Sequence, residues 1–199
     1  MSTLWSAASQ AKWREALDRY DAVIAAQGVK RLAELDRWYQ DELPPAIAKR
    51  RPAHVTHDEL VKASEWKMAR GVFRARNLVL VKGNDAGVVV KTSAEALARI
   101  PDPKAPIATL AKLDGVGPAT ASAIAAAAAP EIYPFFDELV AAQIPGLGAV
   151  AFTMTYYARY ADALRARAAE LGRDWTPELA GRALWANSGG KAGSRGILQ

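Results

Sequence analysis

A chain of 199 residues, 51% hydrophobic and 24% charged, has the composition of a folded protein with material for one core or two small lobes. It contains no cysteine, which excludes disulfides, thiolate zinc sites and cysteine-ligated iron–sulfur clusters, and His54 and His57 are its only imidazoles. A net charge of +5 permits an anionic partner without requiring one. No apolar run suits a membrane span, since the alanine-rich stretch 119–129 is too short and too weakly apolar. The first residues lack a basic segment followed by an apolar core, so no secretory signal is expected. The expected compartment is the cytoplasm, with nucleoid association if the source is bacterial.

Trp13, Leu17, Tyr20 and Ile24 recur at spacings of three and four, which predicts a helix over 9–27 with Gly28 as its stop. Leu32, Leu35 and Tyr39 predict a second helix over 30–42, interrupted by Pro44-Pro45 and followed by a polar loop with Arg50, Arg51 and Pro52. Thr56 is a natural N-cap for a helix with an acidic first turn that runs to Arg70, where Gly71 breaks or bends it. A further helix is expected over 72–82. Segment 84–100 reads two ways: Val88-Val89-Val90 suits a strand, whereas Asn84, Asp85, Ala94, Leu97 and Ile100 suit a helix. Helix is preferred because no second strand exists to pair with it.

Pro101, Pro103 and Pro106 form a connector, followed by helical segments over 107–113 and 118–129. Pro130 to Pro134 is a stiff loop, and a helix is expected to start near Asp137. A turn at Pro145–Gly148 precedes a long helix over 150–171, in which Tyr156, Tyr157 and Tyr160 are expected to pack with polar tips. Thr176-Pro177-Glu178 opens a last helix, with Trp175 and Trp185 assigned to the core, and the tail from Ser188 is expected to be disordered. The expectation is an all-α chain of nine or ten short helices, with one domain over 1–187 and a tail over 188–199.

Gly115 and Gly117 lie between two of these helices, in Leu113-Asp114-Gly115-Val116-Gly117-Pro118-Ala119-Thr120-Ala121. Glycine lets another molecule approach the backbone closely, and proline suits a first helical turn. The first amides of the second helix lack intrahelical partners, so the turn is suited to hold a phosphate without reading a base. Trp66-Lys67-Met68-Ala69-Arg70-Gly71-Val72-Phe73-Arg74-Ala75-Arg76 is a second candidate. Lys67, Arg70 and Arg74 share a face if the helix persists through Gly71, giving phosphate contacts beside an aromatic. The plainer alternative is a solvated basic face with two core aromatics. Lys67 is also an amine nucleophile if it is buried near Asp137.

The segment from Leu113 to Ala121 resembles the helix-hairpin-helix of the HhH-GPD superfamily of DNA base-excision glycosylases, in which a Gly/Pro-rich loop and a catalytic aspartate follow the hairpin. Here the loop is 130–134 and the aspartate is Asp137. In the endonuclease III branch a lyase lysine stands two positions after the second glycine and eighteen before the aspartate. That place is held by Ala119, so the resemblance implies no Schiff base from the hairpin, and the missing cysteines imply no iron–sulfur cluster. Phe136-Asp137-Glu138 also departs from the Val-Asp-Thr environment of that branch.

The resemblance covers about residues 107–140. It implies a two-lobed helical fold with a cleft between the lobes, and no cofactor or metal. It also implies a monofunctional glycosylase acting on duplex DNA that it holds by backbone phosphates. Gly115, Val116, Gly117, Pro118 and Thr120 would bind the backbone, with help from Lys67, Arg70 and Arg74. A flipped base would meet Asp137, which stabilises positive charge on the sugar or orients a water. The plainer reading of Asp137 is a helix N-cap. A non-catalytic helix-hairpin-helix DNA-binding protein is the alternative function, and a hairpin that merely packs internally is a third possibility.

Overall fold

A computed structural model describes residues 3–7 and 9–194. Every regular element among them is helical, so the chain is all-α. A short 3₁₀ turn, Leu4–Ser6, leads into α1 (Gln10–Asp18) and α2 (Tyr20–Ala26). Next, α3 (Leu32–Arg37) passes through a π-helical turn, Trp38–Glu42, into α4 (Leu43–Lys49). The Pro44-Pro45 pair therefore does not end the helix as expected. Both prolines fall in the first turn of α4, directly after the π-helical turn, across which Leu43 N donates to Trp38 O.

Helix α5 (His57–Arg70) opens with a capping box: Thr56 Oγ1 accepts from Glu59 N at 3.2 Å, and Glu59 Oε2 accepts from Thr56 N at 2.8 Å. The same carboxylate takes a two-pronged contact from Arg50, at 2.7 and 2.8 Å. Helix α5 stops at Gly71 and α6 (Ala75–Lys82) begins only after Arg74, so no continuous helix carries the basic run. The ambiguous segment is helical, as α7 (Ala86–Leu97), with Asp85 accepting from Val88 N at 3.0 Å. Val89 is fully buried while Val88 is exposed, and Ser93, buried on the same helix, holds Val55 N at 3.1 Å.

The hairpin joins α8 (Ala105–Leu110) to α9 (Pro118–Ala128), which is buried on nearly every side. Its run of alanines lets neighbouring helices approach closely, and Tyr39 donates a 2.7 Å hydrogen bond to Ala123 O. After α10 (Glu138–Ala141) come α11 (Met154–Leu171), α12 (Pro177–Asn187) and α13 (Gly190–Ser194). Trp175 and Trp185 are core residues, as expected, and Trp13 meets Trp5 and Trp175 edge-on at 6.3 and 6.1 Å.

The tail expected to be disordered from Ser188 is instead structured as far as Ser194. Gln27 binds Gly189 O at 3.0 Å and accepts from Ala192 N at 2.9 Å, and Lys191 donates to Gly71 O. These long-range polar contacts satisfy backbone groups that a glycine-rich composition alone leaves to solvent. Residues 195–199 of that expectation lie outside the described residues. Among the described residues no helix is long and apolar enough to cross a membrane.

Candidate functional site

The loop from Pro130 to Asp137 is held by side chains from three helices. Ser122 of α9 accepts from Phe136 N at 2.9 Å, and Glu178 of α12 accepts from Phe135 N at 2.7 Å. Tyr157 and Tyr160 of α11 donate to Pro134 O and Phe135 O at 3.3 and 2.6 Å. The tyrosines thus pack with polar tips as expected, and those tips fix the backbone that delivers Asp137.

Burial pushes the carboxyl of Glu178 above the usual range, opposed by the Phe135 amide and by Arg70 and Arg182. Its folded pKa is therefore the higher one, so the stability it contributes is present in acid and lost as pH rises through that value. Glu178→Gln keeps the acceptor for Phe135 N and removes the charge. Its melting temperature is expected to match wild type near pH 4 and to exceed it increasingly toward neutrality. Glu178→Ala leaves a buried amide unpaired and should cost about 1–3 kcal/mol at any pH. Denaturation followed at several pH values separates the two variants.

Asp137 caps α10, its Oδ1 accepting from Leu139 N at 2.8 Å. Its Oδ2 accepts from Arg70 Nε at 3.1 Å, and both side chains are buried. Arg70 also donates to the Tyr20 hydroxyl, which donates in turn to Asp36 Oδ1 at 2.8 Å. Trp66 donates to the same Asp36 oxygen at 2.8 Å while its ring stacks on Tyr39 at 3.6 Å. The guanidinium lies 4.2 Å over the Trp185 ring. Burial opposes the charge on Arg70, but the facing Tyr20, Asp137, Asp36 and Glu178 outweigh it and raise its pKa further.

Two adjoining cavities open here. The first, about 40 Å³, is bounded by Asp137, Glu138, Lys67, Arg70, Phe152 and Lys191, among others, and takes no more than a few waters. The second, about 330 Å³, is lined by Lys67, Arg74, Asn77, Phe152 and the start of α9 from Gly117 to Thr120, and reaches the size of a small-molecule site. Lys67, Arg74 and Phe152 line both. No side chain caps α9. Thr120, a buried residue, lines the second cavity, and its side chain forms no hydrogen bond among the described residues.

The expected site residues divide. Gly117, Pro118, Thr120, Lys67 and Arg74 come together at the larger cavity, and Asp137 lies at the smaller one. Val116 is buried in the core, and Gly115 packs against α6, where an added Cβ would meet Asn77 O at 2.5 Å. Arg70 is 3% exposed and paired to Asp137, which removes it from any phosphate-binding face. The two aromatics of the basic run also part: Trp66 is core, whereas Phe73 is 67% exposed.

His54 and His57 bond backbone oxygens of Pro52 and Lys82, and no metal-holding cluster of three side chains occurs among the described residues. Sequence reading missed Ser122, Tyr20, Asp36 and Glu178. The TPE of Thr176-Pro177-Glu178 signalled only a helix start, and nothing local marks a partner for Phe135 N forty-three residues away. Comparison with family models, curated proteins and solved structures finds no match.

Proposed function

We propose that the protein binds duplex DNA by its backbone phosphates and acts as a monofunctional glycosylase that flips out and excises a damaged or mismatched base. In this reading the fold is a two-lobed HhH-GPD-like arrangement and the larger cavity is its cleft. What carries the reading is the sharing of Lys67, Arg74 and Phe152 between the cavity at the uncapped N-terminus of α9 and the one at Asp137. Amides and cations suit a phosphate, and the exposed Phe152 ring suits a base face. The water-sized cavity beside Asp137 suits a carboxylate that orients a nucleophilic water.

The test is a panel of duplexes with single lesions (uracil, alkylated and oxidised purines), followed by chemical cleavage of abasic sites. Wild type is expected to release a base, and Asp137→Asn to lose about 10²–10³-fold in rate with DNA binding retained. Arg74→Gln should weaken binding to all sequences alike and lower the slope of log affinity against log salt by about one. Gly117→Asp places a carboxylate in open space in front of α9 and should abolish binding in a folded protein. Undiminished affinity there would end the hairpin's part in the argument.

A second reading is non-catalytic helix-hairpin-helix binding. It is favoured by the Arg70–Asp137 pair, which neutralises the carboxylate and occupies one of its oxygens while the Leu139 amide occupies the other. Salt-sensitive binding without base release across the panel selects it.

A further inference from the structure

A third cavity, about 500 Å³, is lined from α2, α3, the π-helical turn and α12, and shares no lining residue with the two described above. Its volume is that of a small-molecule site. Asp21 of α2, Asp36 of α3 and Asp41 of the π-helical turn bring three carboxylates to it, against the guanidinium groups of Arg37 and Arg182. Gln40 lines it from the same π-helical turn, a rare form met often at functional sites.

Asp36 is the residue that points to a ligand. It is 5% exposed, yet its carboxylate forms no ion pair among the described residues. Oδ1 accepts from the Tyr20 hydroxyl and from Trp66 Nε1, both at 2.8 Å, and both donors are neutral. Oδ2 accepts no hydrogen bond among the described residues. Arg70 reaches this carboxylate only through the Tyr20 hydroxyl. Neither arginine of the cavity supplies the missing cation. Arg182 Nη1 donates to Gln40 Oε1 at 3.2 Å while its guanidinium lies 4.3 Å over the Tyr20 ring, and Arg37 is exposed. A buried carboxylate without a cation is costly, because nothing offsets its desolvation. This one borders a cavity that a cation can enter. Asp21 and Asp41, exposed on the cavity wall, likewise form no ion pair among the described residues.

We infer that this cavity binds a small organic cation whose ammonium or guanidinium group sits on Asp36, with Asp21 and Asp41 facing its outer end. N–H donors of opposite charge match the free carboxylate oxygen. A bare metal ion is not the occupant, since no cluster of three side chains able to hold one occurs among the described residues. The carboxylates also repel phosphate, so DNA is not the occupant. The inference stands apart from the reading of the hairpin and Asp137.

The full-length protein is titrated by calorimetry, at one ionic strength, with agmatine, 1,4-diaminobutane, 1,4-butanediol and magnesium chloride. The expected result is saturable binding of one equivalent of agmatine, of diaminobutane or of both, and none of butanediol or magnesium. The tighter of the two amines names the head group. Asp36→Asn keeps an acceptor for Tyr20 and Trp66 but removes the charge, and should weaken binding at least about ten-fold. Arg37→Gln removes a like charge from the cavity wall and should tighten binding by about two- to five-fold, which damage to the fold does not do. Asp21→Asn combined with Asp41→Asn changes two exposed side chains and should weaken binding by a similar factor with the circular dichroism spectrum unchanged. That pair and Arg37→Gln decide the matter if Asp36→Asn does not fold. No saturable binding of either amine, an equal response to magnesium, or an affinity unchanged in the Arg37 and Asp21/Asp41 variants overturns the inference.

Discussion

Arg70→Met is expected to lower the free energy of unfolding by about 3–5 kcal/mol, the range for removing one partner of a buried ion pair. The side chain is 3% exposed and its Nε lies 3.1 Å from Asp137 Oδ2. Without it a buried carboxylate faces no cation, the Tyr20 hydroxyl loses a donor, and the Trp185 face loses its cation at 4.2 Å. Methionine restores much of the volume but none of these polar contacts. The double variant Arg70→Met with Asp137→Asn removes the stranded charge as well and should regain a large part of the loss. A double-mutant cycle from urea denaturation isolates that coupling. A single variant within about 1 kcal/mol of wild type would show that water reaches the pair and that the burial argument fails. The result also bears on chemistry, because a strongly coupled Arg70–Asp137 pair favours the non-catalytic reading.

The second large effect separates the two hairpin glycines. Gly115→Ala is expected to cost about 2–5 kcal/mol, the sum of left-handed backbone strain and overpacking. Gly115 has φ of 74°, and its added Cβ would lie 2.5 Å from Asn77 O and 2.9 Å from both Leu80 Cβ and Val81 N. Two of those three neighbours are backbone atoms of α6, which cannot swing aside. Asn84 ties the same turn down, with Nδ2 donating to Asp114 O at 2.9 Å and Oδ1 accepting from Asp114 N at 3.0 Å. Gly117→Ala is expected to stay within about 0.5 kcal/mol of wild type, because its φ of −93° suits any residue and its Cβ meets nothing within 4 Å. Thermal denaturation of the two variants decides the matter, and equal costs would refute the division of the hairpin into a packed and an open glycine.

That division was not legible in the motif. Gly115 and Gly117 stand two apart in the same turn, and a phosphate reading treats them alike. One is required by the helix packed behind it, and the other leaves the front of α9 open. The basic run behaved similarly. Its spacing of three and four puts Lys67, Arg70 and Arg74 on one face only if the helix persists through Gly71, and Gly71 ends α5. Lys67 and Arg74 still meet at one cavity, by way of the loop, while Arg70 turns inward to Asp137. Nothing in the local pattern tells an inward arginine from an outward one.

Local chemistry, read from the sequence by itself, determined much of this protein. The all-α class, the Thr56 cap, the core roles of Trp175 and Trp185 and the helix start at Asp137 all follow from spacing and capping, which act within one or two turns of chain. The helical state of 84–100 also came from a local argument, the absence of any partner strand. Only the tertiary structure decided where charges are neutralised and which backbone groups are satisfied. Arg70 finds Asp137 sixty-seven residues away, Glu178 finds the Phe135 amide, and Gln27 orders the segment beyond Ser188. The physical reason is desolvation: a buried polar group must find its partner wherever packing brings one, and packing joins residues that the sequence keeps far apart.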